Sequence, residues 1–365
     1  MSISKSIQNH QKEIEEIVEL QNNLLNIAST FETLQNEIPS SKFLENKASL
    51  RTLLQSFDAA INSRQSYREK YFTLLELIKD QIDSNFTTKD LCYEIFHNDN
   101  TIIELCKKGF TYPNIIKKDS KLYSTSLITK LFPEAQNPSN STNGNAQNGN
   151  NGNQQESGNN NNGIEDTLID LIRIDDLEKF QSIVTYSNIE LSKNITGPSD
   201  LRSLIPKEVF FMDVAAFYGS VKIFKYLFLN KELIPLHIGL PAVAGGNPEI
   251  IHLLESNKIV FKDTLDIAIR FNHNEIAKYL HDNTGQQYTL KSLVEAIRYN
   301  NIEMAIQLLP QFKPEELLEP IIQAAKNGYL LIVKIICSVN GVDHNAVDDY
   351  GVLFSISLFT IINVC

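Results

Sequence analysis

At 365 residues, with 42% hydrophobic and 21% charged side chains, the chain has ordinary globular composition and room for two or three domains or one repeat array. Up to Gly163 it carries 16 Lys+Arg against 19 Asp+Glu, and beyond Gly163 it carries 17 against 25, for a net charge of −11. Both parts are acidic, so the long-range field repels nucleic acid and anionic lipid, and neither is expected as a partner.

Residues 1–130 predict an N-terminal helical region. From Ile14, the apolar residues Ile17, Leu24, Ala28, Phe31, Leu34 and Ile38 recur at three- and four-residue steps until Pro39 stops the pattern. Two further amphipathic runs follow, one through Phe43, Leu50, Leu53, Leu54, Phe57 and Ile61, the next through Tyr71, Leu74, Leu75, Ile78 and Ile82. Short connectors between them predict antiparallel packing, on each other and against the rest of the chain. A degenerate helical hairpin is expected at 88–110, carried by Leu91, Glu94, Asn98, Asp99, Ile102 and Cys106.

Composition changes abruptly at 137–163, where 12 of 27 residues are Asn and 5 are Gly. Such a low-complexity segment buries too little surface to offset its ordering entropy, so a disordered linker is expected.

Residues 164–351 are internally repetitive. Small or apolar anchors stand at Leu171, Ala215, Ala242, Ala268, Ala296 and Ala324, at intervals of 44, 27, 26, 28 and 28 residues. Four residues after each anchor stand Asp175, Gly219, Gly246, Asn272, Asn300 and Gly328, types that tolerate the left-handed conformation needed to end a helix sharply. The next column, Asp176, Ser220, Asn247, His273, Asn301 and Tyr329, is rich in N-cap types, and Glu178, Glu249, Glu275 and Glu303 follow where a helix dipole favours acid. Ile223, Ile250, Ile276, Met304 and Ile332 then recur, with Leu227, Leu254, Leu280, Leu308 and Ile336 four residues on, as one apolar face. Each unit reads helix, tight turn, helix, and none could bury its apolar face alone, so about six stacked units are expected.

The strings Ala215-Ala216-Phe217-Tyr218-Gly219, Ala242-Val243-Ala244-Gly245-Gly246-Asn247-Pro248-Glu249-Ile250-Ile251 and Ala324-Ala325-Lys326-Asn327-Gly328 resemble the core of ankyrin repeats. The short period resembles a divergent ankyrin family of unknown function expanded in parabasalid protists such as trichomonads. The resemblance implies an all-α fold, an ankyrin-like α-solenoid preceded by the N-terminal helices, and a non-enzymatic protein-interaction scaffold whose partners are other proteins. Five to seven residues of the usual 33-residue unit are missing, so short fingers are expected. Ile234-Pro235-Leu236-His237 has the look of the family's opening motif but lies nine residues before Gly246, too far to fit. A full finger is expected only at 343–351. The apolar tail at 352–365 stands where a polar cap is needed, so either the tail folds back on the last unit or the last repeat is truncated, the second being the favoured expectation. The alternative function is a regulatory subunit, or fragment, of a larger repeat-containing enzyme.

No nucleotide-binding, hydrolase, metalloprotease or kinase motif occurs, so no catalytic residue, metal or cofactor is expected. The glycines of Ala244-Gly245-Gly246-Asn247 are those the turn requires. Four cysteines without a C-x-x-C pair fit a reducing compartment, and a polar N-terminus without a signal-peptide core predicts a cytoplasmic protein without a membrane span. One column suggests a partner-binding stripe: Arg173, Arg270, Arg298 and Lys326, with the aromatics Tyr218, Phe271 and Tyr299 beside them. The bland reading is a set of solvated bases complementing helix C-termini. The sharper one is a surface for an acidic or phosphorylated segment.

Overall fold

The computed structural model describes residues 1–132, 159–205, 208–230, 232 and 234–342, and every regular element among them is a helix. One isolated antiparallel bridge joins Ile195 to Val209. Most of the expected linker (to residue 158), the finger at 343–351 and the tail at 352–365 lie outside the described residues. No described helix is long and apolar enough to cross a membrane.

The first part contains α1 (Ile3–Asn9), α2 (Gln11–Leu25), α3 (Ile27–Glu37), α4 (Lys47–Ser63), α5 (Arg68–Glu76), α6 (Lys79–Asn85), α7 (Asp99–Lys107), α8 (Pro113–Lys118) and α9 (Thr125–Leu131). The run read as one helix from Ile14 to Pro39 is two, because the backbone leaves helical geometry at Asn26 (φ −94°, ψ 25°). The run from Tyr71 to Ile82 breaks likewise at Ile78 (φ −119°, ψ 22°). Periodicity survives both breaks because the chain turns by only about one residue. At 88–110 a short π-helical stretch, Asp90–Ile95, precedes α7, whose first turn is capped by the Asn98 side chain.

The second part forms helical hairpins: α10 (Asn159–Arg173) with α11 (Leu177–Ser187), then, after the short α12 (Ser199–Arg202), α13 (Phe211–Tyr218) with α14 (Val221–Leu229), α15 (Gly239–Gly245) with α16 (Pro248–Ser256), α17 (Leu265–Arg270) with α18 (Asn274–Thr284), α19 (Leu290–Arg298) with α20 (Ile302–Leu308), and α21 (Leu318–Lys326) with α22 (Leu330–Cys337). Residues 159–163, expected in the linker, open α10. Asn and Gly are poor helix formers, but the amphipathic segment behind them supplies the nucleus they extend.

First helices pack on first helices in series, α10 on α13, then α15, α17, α19 and α21. The anchors Ala215, Ala242, Ala268, Ala296 and Ala324 are fully buried, and their small side chains let neighbouring backbones approach. All six residues of the turn column have positive φ, between 53° and 70°. In five of the six turns the next N–H donates to the anchor's carbonyl, as Asn301 does to Ala296 at 2.8 Å.

The following column does more than cap. Its side chains reach back one unit: Ser220 Oγ donates to the Ile172 carbonyl, Asn247 Nδ2 to Gly219 at 3.3 Å, His273 Nε2 to Ala244 at 3.0 Å, and Asn301 Nδ2 to Ile269 at 3.0 Å. Ser220 was expected to cap α14, but its hydroxyl is committed to Ile172. The Asp175 carboxylate, from the preceding turn, caps α14 instead, accepting from Lys222 N at 3.1 Å and Ile223 N at 3.0 Å. These bonds fix the register of one hairpin on the next.

The cores do not follow chain order. Ile3, Ile14 and Ile17 join the apolar core of the hairpins, while Leu20 to Leu127 build a second core around Phe57, Tyr71 and Phe72. Helix α1 packs on α22 and α2 on α20.

Candidate functional site: a cleft between the N-terminal helices and the hairpin turns

A polar stripe on α4, Arg51, Gln55, Asp58 and Asn62, recurs at three- and four-residue steps and faces the hairpin turns. Gln55 Nε2 donates to the carbonyls of Asn327 at 2.8 Å and Gly328 at 3.4 Å. Just beyond the helix, Arg64 donates to the carbonyls of Phe271 at 3.0 Å and Asn272 at 3.3 Å, and Ser66 Oγ donates to that of Tyr218 at 3.2 Å. From α2, Gln21 Nε2 donates to Asn300 O at 2.8 Å, and its Oε1 accepts from Ile302 N at 3.4 Å. The N-terminal helices thus satisfy carbonyls that helix C-termini leave without partners. Burial brings the Arg64 pKa down to about 10, and the group remains a cation at neutral pH.

His273 sits beneath this contact and is buried. The Ala244 carbonyl can only accept, so His273 Nε2 carries the proton, and Arg64 Nη1, 3.4 Å from that nitrogen, cannot donate to it. Burial first, and the Arg64 charge second, hold the His273 pKa well below 6.5. The ring therefore stays neutral in the fold while the unfolded chain takes up a proton below about pH 6.5. Stability from this group is present above that pH and is lost as pH falls, by up to about 1.4 kcal/mol per pH unit. His97 has the opposite sign: burial opposes its charge, but Asp58 Oδ2, 3.6 Å from Nδ1, raises its pKa overall. Its contribution is full below about pH 6.5 and is lost as pH rises through the folded value. Denaturant midpoints measured from pH 5 to 8 should therefore decline below about pH 6.5, and His273→Gln should remove that decline. An unchanged slope in the variant would contradict the assignment.

Between α4 and the turns lies a cleft of about 360 Å³. Arg270, Phe271, Arg298 and Tyr299 line it from the hairpins, and Asp58, Asn62 and His97 from the N-terminal helices. The Arg270 guanidinium lies 4.7 Å from the Tyr299 ring centroid and 5.5 Å from that of Phe271. This arrangement holds a cation against two aromatic faces. Its Nη2 is 3.5 Å from Ser203 Oγ, and among the described residues no carboxylate forms an ion pair with it.

The other predicted bases are placed differently. Arg298 pairs with Glu295 at 2.6 Å, and Arg173 pairs with Asp170 at 2.6 Å. Arg173 also donates to Tyr218 Oη at 3.0 Å, and these two line a separate, more open cavity. Lys326 is exposed and lines neither cavity. Asn98 and Asn100 each donate to Asp200 at 3.0 Å; Asn98 and Asp200 line the cleft, and Asn100 lines the second cavity. The predicted column is therefore not one continuous stripe. Arg270, Phe271, Arg298 and Tyr299 come together, Arg173 and Tyr218 form a second pair, and Lys326 stands apart.

The distinction among the bases is written three residues upstream. Arg173 and Arg298 have Asp170 and Glu295 there, one helical turn away, whereas Arg270 has Ile267. Asp58, Asn62 and His97 were not picked out from sequence. The stripe on α4 was the available signal, because polar residues at helical spacing on a helix whose other face is Leu50, Leu54, Phe57 and Ile61 imply a second packed face.

No curated protein and no solved structure matches the chain. Residues 240–308, from α15 through α20 and including Arg270, Phe271, Arg298 and Tyr299, match the model of a family described as a domain of unknown function (DUF3447).

Proposed function

We propose that this chain is a non-enzymatic interaction scaffold, an ankyrin-like α-solenoid that receives an acidic or phosphorylated segment of a partner protein at the Arg270 cleft. The observation that carries this reading is the Arg270 guanidinium, stacked on Tyr299 and Phe271 at the cleft wall without a carboxylate partner among the described residues. A stacked guanidinium has already lost much of its rotamer freedom, and its N–H groups suit bidentate recognition of carboxylate or phosphate. The series of first helices, each packed on the next, supports the solenoid reading, and the lack of any catalytic motif in the sequence supports the non-enzymatic one. Free thiols at Cys92, Cys106 and Cys337 are in keeping with a cytoplasmic location.

Binding of the full chain to an immobilised peptide library, displayed in phosphorylated and dephosphorylated forms, tests the reading. Retained peptides should carry Glu, Asp or phosphate, and neutralising that group should weaken them by roughly tenfold or more. Retention that ignores charge, or no retention at all, contradicts the proposal.

A further inference from the structure

The 44-residue interval between the first two anchors holds an insertion, and α12 lies within it at the rim of the cleft. Leu201 and Ile205, both buried, fasten this single turn to the hairpin core, and Arg202 and Ser203 stand exposed between them. Ser203 lines the cleft: its Oγ lies 3.5 Å from Arg270 Nη2 and donates to the Asp200 carbonyl at 2.7 Å. The two tyrosines of the cleft are placed differently, Tyr299 under the Arg270 guanidinium and Tyr329 buried. Among the described residues lining the cleft, Ser203 therefore carries the exposed hydroxyl, and it stands beside the cation that no carboxylate pairs with. Asp200, one turn earlier, has its own carboxylate engaged by Asn98, Asn100 and, at 3.9 Å, Arg68. A few backbone bonds hold the turn, from Arg202 to Pro198 and from Leu204 and Ile205 to Leu201, so it opens locally at low cost.

We propose that Ser203 is a phosphorylation site, and that its phosphate engages Arg270 and closes the cleft to the partner's acidic segment. A protein kinase transfers the γ-phosphoryl group of a nucleoside triphosphate to Ser203 Oγ. The Oγ–phosphorus bond forms, the bond from the γ-phosphorus to its bridging oxygen breaks, the diphosphate leaves and the hydroxyl proton passes to solvent. The product carries up to about two negative charges and three strong acceptor oxygens. These extend beyond Oγ, which already stands 3.5 Å from the guanidinium, so charge-assisted bonds of about 2.7–2.9 Å to Arg270 can form. The ester also loses the proton that Ser203 gives the Asp200 carbonyl, which frees the side chain to turn toward the cation. Tethered to the same chain, the phosphate competes at an effective concentration of roughly millimolar or more. The inference rests on the reading of Arg270 as the anion anchor and adds a covalent switch carried by this chain.

The test prepares the full chain with Ser203 phosphorylated throughout, by genetic encoding of phosphoserine, and the same chain after treatment with alkaline phosphatase. Phosphorus NMR should place the second ionisation of the phosphate below its ordinary value of about pH 6, and Arg270→Gln should return it there. Affinity for the acidic peptides retained from the library should fall by roughly tenfold or more on phosphorylation and recover after the phosphatase. Separately, the unmodified chain incubated with magnesium, ATP and a panel of serine kinases should take up phosphate that fragment mass spectrometry locates at Ser203. An ionisation that ignores Arg270→Gln overturns the proposal, and so does a panel that leaves Ser203 unlabelled. Acidic peptides that bind the phosphorylated and unmodified chains equally also overturn it, while leaving the partner reading intact. Peptide binding that ignores charge in the unmodified chain defeats the partner reading instead, and the phosphate titration still decides whether Ser203 closes on Arg270.

Discussion

Replacing Gly245 with alanine should lower the stability of the chain by roughly 3 kcal/mol or more, read as a fall in denaturant midpoint or melting temperature. A Cβ at this position would lie 2.0 Å from the Ala216 carbonyl oxygen and 2.8 Å from that of Phe217, both backbone atoms of α13. Neither can rotate away, so α15 would have to retreat from α13. That retreat opens the contact around Ala215 and Ala242, both fully buried. Alanine's better helix propensity returns only about 1 kcal/mol, so the clash decides the sign. Gly163→Ala is the control: it lies within α10 with nothing within 4 Å of the added methyl, and it should be neutral or slightly stabilising. Equal melting temperatures for the two variants would contradict the close α13–α15 approach.

The second large effect is at the seam. Arg64→Ala removes the donors that the Phe271 and Asn272 carbonyls receive, and leaves two buried acceptors at the α17–α18 turn. At about 1–3 kcal/mol for each unsatisfied group, the expected loss is roughly 3 kcal/mol. Arg64→Lys should fall between wild type and alanine, since one ammonium lacks the planar fork that reaches both oxygens. The loss should be accompanied by faster amide exchange in the turn and in the segment from Ser63 to Tyr67. Unchanged exchange there would mean that the N-terminal helices are held by their apolar contacts alone.

Much of the hairpin series was legible from sequence, and the legible part is the part with a local cause. The left-handed turn at Asn272 or Gly246 needs a particular residue type four places after a buried alanine, so the columns announce themselves. The same locality explains what was missed. Gln55, Arg64 and Gln21 bond to backbone carbonyls, and any residue type carries a carbonyl, so nothing in the partner sequence marks the contact. Ser220 and Asp175 show the limit in the other direction. Both are good caps by type, but which one caps α14 depends on the Ile172 carbonyl of the previous unit claiming the serine.

The candidate site was half legible. The column containing Arg173, Arg270, Arg298 and Lys326 was visible, and so were the aromatics beside it. That these bases differ was also written in the chain, since Asp170 and Glu295 stand one turn before Arg173 and Arg298 while Ile267 precedes Arg270. The opposite wall was not visible, because Asp58, Asn62 and His97 reach the cleft only through the docking of α4 on the turns.

The most direct measurement of the central claim compares Arg270→Glu with Lys326→Glu. Each variant, with its melting temperature recorded, is titrated against the tightest acidic or phosphorylated peptide from the library. With Arg270 as the anion anchor, Arg270→Glu loses roughly tenfold or more in affinity at an unchanged melting temperature, while Lys326→Glu, outside the cleft, stays within about twofold of wild type. Equal losses from the two reversals, or wild-type affinity for Arg270→Glu, would contradict a site built on Arg270 and return the column to a set of solvated helix-end charges.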